Sequence, residues 1–360
     1  MKILVIPNRG RSYNAVRPEA ECYIDLAKAG HNVTIMTCDT NAYLEEYQKA
    51  NLKIILLRSL KKHSLKVIKQ IHQYIKKNNI DVVYATESKG IPNAAFACIG
   101  TNAKMIAYRG TTGGLYKSDL SNYLCMLHPR IDAVICVSKA VTNYVRPKMR
   151  KAIQNKVKTI YKGHDLAWYQ DNAVNLSSLA SESKNFNIVC IGSHRPQKGM
   201  QYMLDAMKEL RDINNIRLIL VGDNFDCEPF ISHIKATGMN DKIIQTGFRS
   251  DVPQIAKACD VLVLPSIREG LPRVVLESLA VGTPVITSAN EGAMEIIADQ
   301  VNGFVVPIGD GKAIAERIRL LTENPKLLAK LSDNAQKTIA TTMSHNRTVQ
   351  EMNDFFQAVL

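Results

Sequence analysis

The stretch PSIREGLPRVVLESLAVGTPVI, Pro265 to Ile286, sets Glu269 and Glu277 eight residues apart across what reads as a loop entering a helix. Carboxylates are good acceptors for sugar hydroxyls, and each of these could hold a diol. At 1.5 Å per helical residue Glu277 lies roughly 9–12 Å along the axis, too far for a close acid/base pair. The spacing suits two grips on one elongated ligand. Between them Gly270 lets a ligand approach the backbone, and Pro272 reads as a first-turn proline, so free N–H groups of a helix start face the same place. A cap-region Glu beside a partly exposed helix Glu is the plainer account of the same residues. Upstream, SHRPQKGMQYMLDAM follows a strand and presents Arg195 and Lys198 before Gly199 and an amphipathic helix. A cationic loop and a helix N-terminus together make a phosphate site, although a solvated turn with two surface cations fits this stretch when it is taken alone.

The elements that must hold these residues repeat one pattern twice. KILVIP, a polar loop, the helical period RPEAECYIDLAKAG and the strand HNVTIMT form a βαβ unit, and LKIILL, DVVYAT, KMIAYRG and DAVICVS continue it. A polar stretch from Asp171 to Asn185 reads as a linker. The alternation then restarts with FNIVCIGS, IRLILVGD, KIIQTGF, DVLVLPS, TPVITS and GFVVP. Short β-rich runs alternating with helices predict an α/β fold of two Rossmann-like, doubly wound parallel sheets facing a cleft, with chemistry in the strand-to-helix loops. The expected domains are 1–170, a linker 171–185, and 186–344, with a terminal helix at about 345–360 packing back on the first.

The charge is uneven. Residues 1–170 hold 27 Lys and Arg against 11 Asp and Glu, a net of +16, while the remainder nets −3. That half should attract phosphate-rich partners or an anionic membrane. Its helix RSLKKHSLKVIKQIHQYIKKNN has an apolar face (Val67, Ile68, Ile71, Tyr74, Ile75) that fits covering the sheet better than entering lipid, and a second basic cluster runs from Val145 to Lys158. No aromatic-basic platform or reading helix points to nucleic acid. No run is long and apolar enough to span a bilayer, the start is not that of a signal peptide, and the eight scattered cysteines suit reduced thiols. The expected location is the cytoplasm, with peripheral contact at the inner membrane face. No D-x-D at a strand end and no ligand-spaced histidines argue for metal-independent chemistry without a cofactor.

The ordered set GSHRPQKG, LVGD, TGFRSDVPQIAKACDVLVLPSIREGLPRVVLESLAVGTPVITS, EGAMEII and NGFVV resembles the nucleotide-sugar-binding domain of glycosyltransferase family 4, retaining enzymes of the GT-B fold. The resemblance implies that Glu269 contacts donor-sugar hydroxyls, that Gly270 and Leu271 offer N–H groups to the diphosphate, and that Glu277 holds the ribose. Arg195 and Lys198 would neutralise the leaving diphosphate, of UDP or GDP, as charge develops on it. Glu295 matches a family glutamate, helix capping being the alternative, and the base would meet backbone near Phe248 and Arg249. Where the family has a glycine pair, this chain reads NRGRSYNAVRPEAE, with Gly10, Arg9, Arg11 and Arg17. Arg109 stands where many relatives carry histidine; it can bind phosphate or hydroxyls but cannot serve as a general base, which favours the family's retaining mechanism. The implied activity is transfer of a sugar to a saccharide acceptor, free or lipid-linked, in cell-surface polysaccharide or lipopolysaccharide synthesis. A non-catalytic membrane or partner-binding subunit, and a nucleotide-sugar epimerase, are the rival readings.

Overall fold

Runs of Ile, Val and Leu too short for helices and apolar on both sides become parallel strands buried on both faces. The computed structural model describes residues 1–360 apart from Arg11 and Ser59. They group into two units, Met1–Lys162 with His345–Leu360, and Gly163–Ser344.

The first unit contains strands β1 (Lys2–Ile6), β2 (Asn32–Thr37), β3 (Lys53–Leu56), β4 (Val82–Ala85), β5 (Lys104–Arg109), β6 (Ala133–Cys136) and β7 (Val157–Thr159). They lie in the order β3-β2-β1-β4-β5-β6-β7, every pairing parallel. Strand β7 begins at the end of the basic stretch Val145–Lys158 and runs one residue past it, and three residues of an edge strand leave no readable alternation. Helix Leu65–Asn78 buries Val67, Ile71 and Ile75 and turns its lysines outward. Helix His345–Val359 belongs to this unit, placing Met352, Phe355, Phe356 and Val359 in one apolar cluster with Ile3, Val5, Tyr23 and Tyr84.

The second unit contains β8 (Phe186–Ile191), β9 (Ile216–Val221), β10 (Ile243–Gln245), β11 (Val261–Leu264), β12 (Val285–Ser288) and β13 (Gly303–Val306). Their order, β10-β9-β8-β11-β12-β13, has the same winding. The sequence direction therefore reverses between β1 and β4 in one sheet and between β8 and β11 in the other, and ligands of such sheets bind beyond the strand ends at that crevice. The units divide between Lys162 and Gly163, and Asp171–Asn185, expected as a linker, lies within the second. Leu176 and Leu179 are buried there, and the backbone of Val174 donates to Gln254 O at 3.2 Å.

Candidate active site

In the second unit the winding puts the loops after β8 and β11 side by side. Gly199 closes the first loop at φ +63°, and a Cβ there would stand 2.1 Å from Pro265 O, so only glycine lets the loops touch. Ile267 N donates to Gln197 O at 2.9 Å across the same seam. The seam brings Lys198 and Glu269 together: Lys198 Nζ donates to Glu269 Oε1 at 2.8 Å, with both side chains half-buried. An ammonium and a carboxylate, each with lone donors or acceptors to spare, stand at one strand-end crevice.

Helix Arg273–Ala280 follows. Pro272 is its N-cap residue, not a first-turn residue, so Glu277 lies in the second turn rather than two full turns in. The N–H groups of Gly270 and Leu271, just before the helix, have no acceptor among the described residues. Gly292 presses against this turn from below, where a Cβ would lie 2.5 Å from Gly270 O. Glu277 is 1% exposed, and neither carboxylate oxygen has a hydrogen-bond partner. Arg273 Nε lies 3.2 Å from Oε1 without making a hydrogen bond. Burial pushes the Glu277 carboxyl up to about 7, with Arg273 opposing it.

Other residues singled out in this unit are looser. Arg195 is exposed at the end of the β8 loop, with no partner for its guanidinium among the described residues. Phe248 is exposed, and Arg249 is held by a bidentate pair with Asp251 (2.8 and 2.6 Å), which leaves the backbone rather than the guanidinium for a ligand. Glu295 is the C-cap residue of the one-turn helix Glu291–Met294 and is half-buried.

In the first unit the equivalent crevice is more strongly ionic. Gly10, at φ +54°, donates its N–H to Asn8 Oδ1 at 3.3 Å, and Asn8 N donates to Thr86 Oγ1 at 2.8 Å. Arg9 faces Glu87 at 3.5 Å, and Arg17 lies 4.0 Å from Glu21 and over the Tyr13 ring. The charge expected to meet an anion is thus partly answered from within; Arg11 lies outside the described residues. Arg109 donates to Thr111 O at 3.0 Å and also to Gly113 O, which folds the TTGG loop around the guanidinium. Burial holds it below the usual arginine value, and a charged guanidinium remains. It lines a cavity of about 390 Å³ with Tyr108, Thr111, Ser121, Asn122 and Lys62.

The family model described as glycosyl transferases group 1 matches residues 173–338, and that described as Glycosyltransferase Family 4 matches residues 23–168. Anabaena HepE, solved in complex with UDP, superposes with a TM-score of 0.80 at 21% identity, covering 99% of this chain and 100% of that one. The chain belongs to the glycosyltransferases of the GT-B fold. The glycosyltransferase is also similar to the putative glycosyltransferase EpsD of Bacillus subtilis, 36% identical over 45% of this chain and 43% of that protein. A third likeness is to the UDP-Gal:alpha-D-GlcNAc-diphosphoundecaprenol alpha-1,3-galactosyltransferase of Escherichia coli, 24% identical over 89% of this chain and 88% of that protein.

Three features of the glycosyltransferase were not anticipated from its sequence. Ser266 and Ser288, at the ends of β11 and β12, are fully buried with unpartnered hydroxyls. Asn290 ties their carbonyls together at 3.2 Å each while its Oδ1 accepts from Ala293 N. In the first unit, Lys162 pairs with buried Glu19, which also takes hydrogen bonds from Tyr23 and Thr86. Burial opposes the charge on Glu19, but these partners outweigh it and hold the carboxyl below its usual range. Among the described residues no cluster of His, Cys, Asp and Glu is arranged to hold a metal ion.

Proposed function

We propose that this glycosyltransferase moves a sugar, with retention, from a nucleoside diphosphate donor to a saccharide on a lipid carrier, in surface polysaccharide or lipopolysaccharide synthesis. The observation that carries the donor half is Glu277. A carboxylate hidden from water, with Arg273 at ion-pair distance but no hydrogen bond to either oxygen, is costly to keep unless a ligand donates hydrogen bonds to it. Ribose hydroxyls supply such donors. The free N–H groups of Gly270 and Leu271 and the dipole of helix Arg273–Ala280 would then hold the diphosphate.

Lys198 is poised to exchange Glu269 for the phosphate, and Glu269 to exchange Lys198 for sugar hydroxyls. As the glycosidic C–O bond breaks, negative charge grows on the leaving phosphate, where Lys198 and the helix start stabilise it. The leaving phosphate takes the acceptor's proton on the same face, which gives retention without a basic side chain, a role the always-charged Arg109 could not fill. The E. coli relative, named for a diphosphoundecaprenol-linked acceptor sugar, supports a lipid-linked acceptor. The basic first half supports work at the cytoplasmic face of an anionic membrane.

Thermal shift against UDP, GDP, ADP and their sugars tests the donor site, with Glu277→Ala and Lys198→Ala alongside. A ligand at about 100 times its Kd should stabilise the fold by about 2.7 kcal/mol, a rise of several degrees. One nucleotide series should act on the wild type and lose its effect in both variants. Stabilisation that survives in the variants would place the nucleotide elsewhere.

A further inference from the structure

Among the described residues the two most exposed large apolar side chains, Leu65 at 82% and Leu120 at 80%, both belong to the first unit. Tyr116, Tyr123 and Leu124, beside Leu120 in sequence, are exposed at 56%, 42% and 50%. Four of the five lie within nine residues. They are held outward by built structure: Asp119 caps the turn through Ser121 N at 2.9 Å, and buried Asn122 donates to Tyr116 O and Asp119 Oδ2 at 3.2 and 3.1 Å.

Leu65 belongs to a different segment that meets the first. Cys125 Sγ lies 3.9 Å from His63 Nε2, and Lys62 lines the same cavity as Ser121, Asn122 and Cys125. The His63 segment is itself pinned, since Ser64 N donates to Asn93 Oδ1 at 2.9 Å and Asn93 Nδ2 donates to Lys61 O and Lys89 O, each at 2.8 Å. Exposed Lys61, Lys62 and Lys66 flank Leu65 in sequence, and exposed Lys117 follows Tyr116. The one acidic side chain on the turn, Asp119, is occupied by its cap bonds.

An apolar ledge flanked by exposed lysines is complementary to a bilayer with anionic headgroups, where the apolar residues enter the interface and the lysines meet the charge. We propose that the ledge formed by Leu65 and Tyr116–Leu124 docks the protein onto an anionic lipid surface at the mouth of the Arg109 cavity. This deepens the reading of the acceptor as lipid-linked and rests on it: a saccharide on a lipid in that bilayer would meet the cavity as it leaves the headgroup layer. Helix Leu65–Asn78 is not the insertion element beyond its first residue, since Val67, Ile71 and Ile75 of its apolar face are already buried.

The test is co-sedimentation of the full chain with vesicles of phosphatidylcholine alone and with added phosphatidylglycerol, at low and high salt, with neither donor nor acceptor present. The wild type should sediment with the anionic vesicles. Leu120→Asp with Leu124→Asp should lower the partition coefficient at least about tenfold. Leu65→Asp, on the separate segment, should lower it further. Lys61→Ala and Lys117→Ala should each lower it roughly fivefold at low salt only. A wild type that ignores both vesicle types overturns the proposal, and so does an Asp double variant that still sediments like the wild type. If the wild type ignores vesicles and the double variant turns a dimer into a monomer, the ledge is a contact between copies instead. Nucleotide thermal shift on the same samples separates the two readings. Vesicle binding without a nucleotide response sinks the donor assignment alone, and the reverse sinks the ledge alone.

Discussion

Glu277 is an acid whose surroundings favour its proton. Its carboxyl rises from an ordinary 4.5 to about 7 through burial, with Arg273 only partly offsetting the rise. Between those values the folded chain keeps a proton that the unfolded chain has lost, so stability falls as pH rises through this window. Above pH 7 the penalty is complete, roughly 3 kcal/mol. Glu277→Gln should therefore be more stable than the wild type at pH 8, by up to about 3 kcal/mol, and nearly equal to it near pH 4.5. Urea midpoints at both pH values measure this, and a pH-independent difference would contradict it. A ribose hydroxyl prefers the ionised carboxylate, so nucleotide binding at pH 6 should release protons, which calorimetry in buffers of different ionisation enthalpy detects. Glu277, Glu269 and Lys198 could be picked out in the sequence because each sits at a fixed offset from a strand end and a glycine. That neither oxygen of Glu277 accepts a hydrogen bond could not, because burial and the aim of Arg273 are set by packing.

Among the elements, the strand-end loops carry the site, and glycine decides how closely they approach. Gly199→Ala would add a methyl 2.1 Å from Pro265 O at a φ of +63°. Strain and clash together should cost at least about 2 kcal/mol, or roughly 4–8 °C in the unfolding of the second unit. The same shift would part Lys198 from Glu269, so nucleotide stabilisation should fall along with the melting temperature. A variant that melts like the wild type would show that the seam is soft. Twelve of the strands could be read as β-rich runs, because a parallel strand buried on both faces must be apolar throughout. Strand β7 could not, since three edge residues (Val157, Lys158, Thr159) carry no pattern. The paired charges of the first crevice were half-visible: Glu21 is one helical turn from Arg17, but Glu87 comes from another strand end to meet Arg9.

In the whole molecule, the chain leaves its first unit at Lys162 and re-enters it at His345, so the last helix completes a core begun by the first strand. Phe356 is fully buried against Tyr84, Met352, Phe355 and Val359 join the same cluster, and His345 Nε2 lies 2.8 Å from Asp25 Oδ2. Removing four buried apolar side chains forfeits on the order of 6–12 kcal/mol, comparable to the entire stability of a domain. A chain ending at Ser344 should therefore lose the first unit and keep the second, whose own core lies wholly within Gly163–Ser344. The single tryptophan, Trp168, lies in that second unit beside His164 and Tyr169 and serves as its probe. Truncation should cut far-UV ellipticity by about half, as expected when one of two domains of similar make-up unfolds, while the tryptophan transition under urea stays cooperative. Phe356→Ala, at about 3–5 kcal/mol, should move only the transition that tryptophan does not see. If either change shifts the tryptophan transition by the same amount as the ellipticity, the two units unfold as one, and the terminal helix stabilises the whole chain rather than its first half.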